Sequence, residues 1–246
     1  MNTTSKYTIK KVHKRSTEAQ AADRLREAII SGDIPLGARL TELLVSEQVG
    51  VSRGTIRTAF HQLVQEGLLV QVPYTGWTVM TLSANDAWEL YTLRASLESL
   101  ASRLVASRLK SDVRSEEIAK TLASTFTRLK VACEKGNKTL IAREDMHLHR
   151  TIVSLSHHGR LIDQYSRIEH QVRIYIRSSD ALVPESADII AQHEPIIDSL
   201  LRGDEEGAVR AAAAHNEREG DILVHHLELM ERAERGVVSA TASASE

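Results

Sequence analysis

The chain has 246 residues, of which 42% are hydrophobic and 26% charged, and its formal net charge is −2. That length suits one large domain or two modest ones, and no apolar run approaches the ~18 residues of a membrane span. The basic, polar start MNTTSKYTIKKVHKRS is unlike a secretory signal, and the single cysteine, Cys133, excludes an intramolecular disulfide framework and a Cys-rich zinc module, so a cytoplasmic protein with no membrane partner is expected.

Residues 1–15 hold five basic residues with almost no apolar pattern, and are predicted to be a disordered arm. A helix is predicted over 17–32, capped by Thr17, with Ala21, Leu25, Ala28 and Ile29 on one face. Gly32 and Pro35 break it. A short helix follows at about 41–49, opened by Thr41 and closed at Gly50. Ser52 caps a third at about 53–66, with Ile56, Ala59, Phe60 and Leu63 inward and Gly67 as its stop. Strands are expected over Leu68–Val72 and Trp77–Thr81, joined by a turn over 73–76. Three helices and a hairpin in this order outline a winged helix-turn-helix over 16–82. Residues 1–80 carry 10 Lys+Arg against 7 Asp+Glu while the remainder is net acidic, which hints at an anionic partner for the head.

From Ser83 to about Arg108 the spacing predicts a long helix with Leu90, Leu93, Leu97, Leu100 and Leu104 on one face. Further helices are predicted near 112–135, 138–156, 160–180, 185–202 and 204–231. The fold class is therefore mainly α: a winged helix-turn-helix followed by a helical bundle over 83–231. The small polar residues of 232–246 predict a disordered tail.

Two groups of residues carry chemistry. Arg53 and Arg57 lie one turn apart at the start of the third head helix, where a recognition helix meets base edges. Arg can hold guanine O6 and N7 with two hydrogen bonds. Ser52, Thr55 and the helix N-terminus suit phosphate, Gly54 permits close backbone approach, and Arg39 precedes the second helix within reach of phosphate. An isolated Arg pair is also an ordinary solvated surface. In the body, Asp145 and His149 are four residues apart on a predicted helix, His193 opens a later helix and His215 sits in the final one. Such a set can hold one divalent metal, Zn²⁺ or Ni²⁺ by ligand type. With 11 histidines in the chain, the spacing also arises among surface or hydrogen-bonded residues.

The runs GARLTE (37–42), GVSRGTIR (50–57) and LVQEGLL (63–69), with Gly76 in the wing, resemble the DNA-binding domain of the GntR family of bacterial regulators. The resemblance implies base reading by Arg53 and Arg57, phosphate contacts from Ser52 and Arg39, and Gly76 at a wing tip in the minor groove. Gly54-Thr55 stands where the family often has Thr-Pro, and Leu43 where one subgroup has an Arg. LRASLE (93–98), Asp145 with His149, HEPIIDSLLRGD (193–204) and His215 are similar to the effector domain of the FadR-like branch, an antiparallel bundle of six or seven helices. That similarity implies a metal held by Asp145, His149, His193 and His215. Arg94, on an otherwise apolar helix face, is then a fork for an effector carboxylate, or else a partner of Glu98. SHHGRL (156–161) departs from the branch, with His158 in the place of an Asn. Together these features imply a homodimeric repressor that binds a palindromic double-stranded DNA operator and responds to a small carboxylate. A metalloenzyme with a DNA-targeting head, or a DNA-binding protein with an inactive sensor, are the alternatives.

Overall fold

A computed structural model describes residues 15–72 and 76–243, with side chains described as far as residue 233. The predicted arm lies outside these residues, apart from Arg15, and so do residues 73–75 of the wing turn. The chain divides into two compact units, Met1–Val79 and Met80–Glu246.

In the first unit α1 spans Thr17–Ser31, α2 Glu42–Val49 and α3 Arg53–Gln65. The N-cap of α1 is Ser16 rather than Thr17: its side chain accepts the Ala19 N–H at 3.2 Å. Thr41 and Ser52 cap α2 and α3 in the same way, each satisfying an orphan N–H of the first turn. Leu25, Ile29, Ile56, Phe60, Leu63, Leu68 and Val79 are buried as one core. Arg26 is also buried, clamped by both oxygens of Glu66 at 2.6 and 2.7 Å and by Asp23 at 2.6 Å.

The sheet has three strands in the order β1 (Arg39–Leu40), β3 (Gly76–Val79), β2 (Leu69–Val72). The hairpin β2–β3 is antiparallel with Val72 opposite Gly76 and Leu69 opposite Val79. β1 was not foreseen, because two residues are too few to show alternation; it pairs Arg39 with Thr78 and Leu40 with Trp77. Gly76 has φ 103°, and a Cβ there would come within 3.3 Å of the Leu40 carbonyl oxygen. Glycine is the residue that fits both demands.

The second unit is helical: α4 (Ala84–Ser111), α5 (Ser115–Glu134), α6 (Lys138–Leu155), α7 (Gly159–Asp180), α8 (Ser186–Leu201) and α9 (Glu205–Ser243). The tail expectation is corrected, since α9 continues through residues 232–243. Ala, Glu and Arg favour helix, and the one Gly in that stretch, Gly236, is a modest penalty rather than a stop. The inward face of α4 also differs from the leucine stripe. Tyr91, Arg94, Glu98, Ala101, Ser102, Val105 and Ala106 are buried with Leu90, whereas Leu93 is 45% exposed. Hydrophobic spacing cannot see a face whose two charged members, Arg94 and Glu98, are paired with each other at 2.9 Å. Helix α4 packs on α6, α8 and above all α9. Gly220 permits the close crossing of α9 over α4, because a Cβ there would lie 2.9 Å from Tyr91 Cβ. At the α6–α7 joint, His157 takes φ 51°, and His158 caps α7 by accepting the Leu161 N–H on Nδ1 at 3.1 Å.

Candidate functional site

In the head, α3 begins with an exposed edge of Ser52, Arg53 and Gly54, with Arg57 exposed one turn further. Ser52 Oγ accepts the Thr55 N–H at 3.1 Å and lies 3.0 Å from Thr55 Oγ1. Thr55 is half-buried. Arg57 is not a free side chain: its Nε and Nη2 donate to the two oxygens of Glu42 at 2.8 and 2.7 Å. Arg57 beside Glu42 holds that carboxyl below its ordinary range, and the Trp77 indole adds a hydrogen bond. Glu42 therefore ties the recognition helix to α2 and to the strand that follows the wing. Motif matching placed Glu42 within GARLTE, but nothing in its spacing announced this partner. Arg39 is exposed on β1, and Gly76 is half-buried at the start of β3. His61 sits edge-on to Trp77, ring centroids 4.9 Å apart.

In the body, α6 presents Asp145 and His149 on one face, α8 presents His193 and α9 presents His215; all four are buried. His193 Nε2 lies 2.7 Å from Asp145 Oδ1 and 3.2 Å from His149 Nε2. His149 Nε2 lies 3.4 Å from the same Oδ1 and 3.3 Å from His215 Nε2. Yet Asp145 Oδ1 has no hydrogen-bond partner of acceptable geometry. The three imidazoles form one group, with ring nitrogens all within 4.8 Å of one another, and the Asp145 carboxylate lies against two of them. Two ligands about 2.1 Å from one ion are roughly 3.0–3.4 Å apart at octahedral to tetrahedral angles, so most of these spacings fit a divalent metal.

The outward ring nitrogens prepare this set. His193 Nδ1 donates to the Ile189 carbonyl at 2.7 Å, and His149 Nδ1 lies 2.9 Å from Glu98 Oε2. Either contact turns Nε2 inward, where a neutral ring would offer its lone pair to a metal. Burial would lower His149, but Glu98 and Asp145 outweigh it and lift the imidazole to about 9. Burial would raise Asp145, but His193 and His149 hold it well below the carboxylate range. His215 is pushed far down, first by burial and then by the other two histidines.

Arg94 is 1% exposed, and both readings of it have a place in the geometry. Its Nε donates to Glu98 Oε1 at 2.9 Å, while its Nη2 is buried without an acceptor. Glu98 also accepts from the Tyr165 hydroxyl at 2.7 Å and from Asn216 Nδ2 at 2.8 Å. Sequence reasoning did not foresee Tyr165 or Asn216, since neither belongs to a motif. It also did not foresee Asp180 and Glu219, two buried acids beside the cluster.

Residues 17–79 match the bacterial regulatory proteins of the gntR family, and residues 89–218 match the FCD domain. The chain belongs to the GntR family, with an FCD domain as its body. The GntR head and FCD body together account for the two compact units and for the helix-rich fold. One curated relative of this GntR protein is the "Probable D-xylose utilization operon transcriptional repressor" of Paenarthrobacter nicotinovorans, 28% identical over 206 residues, which are 82% of this chain and 88% of that one. Another is the gluconate operon transcriptional repressor of Bacillus subtilis (strain 168), 29% identical over 154 residues, 62% of this chain and 60% of that one. Among solved structures, a GntR transcriptional regulator from Rhodococcus sp. RHA1 superimposes with TM-score 0.69 at 24% identity over 84% of this chain and 97% of its own. E. coli McbR/YncC gives 0.70 at 21% identity over 87% and 99%. Those two likenesses speak for the fold. This is a family of transcription regulators and not of enzymes, which sets the metalloenzyme reading aside. No described helix is long and apolar enough to cross a membrane.

Proposed function

We propose that this chain is a cytoplasmic, homodimeric repressor whose α3 edge reads an operator and whose FCD body senses a small carboxylate beside one divalent metal. Its head is taken as 16–82, and its body runs from 83 through α9, past the end at 231 expected from the sequence. The observation that carries the sensor reading is the buried cluster of His149, His193 and His215, with Asp145 Oδ1 orphaned against two of them and Arg94 Nη2 still lacking an acceptor. Three imidazoles and one carboxylate suit Zn²⁺ or Ni²⁺. A bound ion supplies a positive, Lewis-acidic point for an effector oxygen. Arg94 would hold the carboxylate in a charge-assisted pair, and Glu98 fixes both Arg94 and His149 so that neither relaxes away.

On DNA, Arg53 and Arg57 would meet base edges in the major groove, with Ser52, Gly54, Thr55 and Arg39 at the phosphates and Gly76 in the wing. A dimer brings two heads to two half-sites. The effector must favour one head arrangement over the other, since only differential affinity shifts an equilibrium. The relatives named as repressors support release of the operator as the response.

The test has two arms. An operator is selected from a random DNA pool by the purified protein and then used in gel shifts with Arg57→Ala and Arg53→Ala. Elemental analysis is run on untagged protein before and after chelation. Loss of specific binding in either Arg variant, and about one metal per chain that disappears in Asp145→Ala, are the expected results. Unchanged operator affinity sinks the head assignment, and a metal-free protein that refuses Zn²⁺ and Ni²⁺ sinks the sensor assignment.

A further inference from the structure

Beside the metal-ligand set lies a second group of buried polar residues. Asp180 ends α7 and is 7% exposed, yet its Oδ2 makes no hydrogen bond. Glu219 is buried on α9, one turn beyond His215. Ser179 joins them to α4: its hydroxyl accepts from the Tyr91 hydroxyl at 2.9 Å and interacts with the Glu219 carboxyl. The Tyr91 ring in turn lies under the Arg94 guanidinium, 5.0 Å from its centroid. Arg94 acts electrostatically on both Asp180 and Glu219, as does Asp145. The unpartnered Asp180 oxygen and the unpartnered Arg94 nitrogen thus belong to one buried cluster.

Two unmet groups decide what that cluster can accept: the Arg94 Nη2 donor and the Asp180 Oδ2 oxygen. Arg94 and Glu98 cancel in charge. Burial lifts Asp180 well above the carboxylate range, with Asp145 and Glu219 adding to it, and burial also lifts Glu219, so neither acid ionises there readily without a cation beside it. A plain carboxylate or a dicarboxylate meets Arg94 but brings Asp180 Oδ2 neither a donor nor a cation. A ligand that carries a cation alongside its carboxylate supplies both.

We infer that the effector is a small zwitterionic acid, its carboxylate taken by Arg94 and the metal and its ammonium group by Asp180 and Glu219. The inference rests on the sensor reading above and narrows its ligand class from carboxylates in general to amino acids.

The experiment uses full-length protein loaded with Zn²⁺ or Ni²⁺. Melting temperature and calorimetric affinity are measured with each protein amino acid, with the 2-hydroxy acid of the same side chain, and with succinate. At least one amino acid should raise Tm and bind about tenfold or more tighter than its hydroxy counterpart, which offers one neutral donor in place of a charged one. The near-isosteric Asp180→Asn and Glu219→Gln should lose that affinity while keeping metal content and operator binding. If either variant fails to fold, the comparison of amino acid with hydroxy acid in the unaltered protein still decides. An amino acid affinity unchanged in Asp180→Asn overturns the inference. Binding of a hydroxy acid or succinate with no amino acid bound overturns it too, but leaves the sensor reading standing where that binding is lost in Arg94→Lys. If no probe binds to metal-loaded protein that still holds its operator, both readings fall.

Discussion

Glu98 holds His149: its Oε2 lies 2.9 Å from the imidazole Nδ1, while its Oε1 accepts Arg94 Nε at the same distance. One carboxylate thus connects the candidate metal ligands to the candidate effector fork. Burial would raise Glu98, but Arg94 and His149 hold it well below the ordinary value, so it is ionised throughout the physiological range. Glu98→Gln should keep the fold and lower metal affinity about 10–100-fold, as loss of an outer partner of a metal-bound histidine does. Competition with a chromophoric chelator measures this. Glu98→Ala should instead cost about 3–5 kcal/mol in urea unfolding, because Arg94 is left buried and unpaired.

His193→Ala should lose metal content and thermal stability together. A metal that binds only the folded chain stabilises it by mass action, so removing a ligand removes both. Chelation of the unaltered protein should reproduce the drop in Tm, and the variant should then show no further drop. A variant with full metal content would refute the ligand set.

The Glu42–Arg57 pair sets an acid limit on the head. Arg57 holds Glu42 below its ordinary value. A carboxyl lowered on folding contributes stability that is fully present above its unfolded value, about 4.3, and is lost as pH falls through the lower folded value. Trp77 touches Glu42, so its fluorescence, read in a Trp88→Phe background, should change in that acid window. Glu42→Gln should flatten the change. At neutral pH the same variant frees Arg57 and should alter operator preference more than it alters overall DNA affinity.

Gly220→Ala should destabilise the body by about 1–3 kcal/mol, since the added methyl meets Tyr91 Cβ at 2.9 Å and the crossing of α9 over α4 must open. Urea denaturation measures the loss. Tyr91→Gly removes that Cβ and should relieve the clash, so the double variant should fall short of the sum of the two single ones.

Burial pushes the Cys133 thiol up to about 11, and Asp145 adds to the effect. The thiolate is the reactive form, so at pH 8 the native protein should react with a thiol-specific disulfide reagent far more slowly than the protein in urea. Equal rates would mean that the α5 core opens readily.

Much of this molecule was legible without coordinates, because it is written in short-range chemistry. Ser52 and Thr41 announce helix starts, Gly50 and Gly67 announce stops, and Asp145 with His149 share a helix face by spacing alone. Family motifs added the head and the order of the candidate ligands. Packing over long separations decided the rest. Strand β1 exists only because Arg39 and Leu40 meet β3. Arg57 and Glu42 are 15 residues apart, Glu98 and Asn216 are 118 apart, and each pair met only once helices were packed. Leu93 proved exposed while Arg94 and Glu98, paired at 2.9 Å, turn inward beside Leu90, a compensation no hydrophobic pattern encodes. Local propensity determines where a helix starts and stops, whereas which of its faces is buried, and beside which charges, is a property of the whole packed chain.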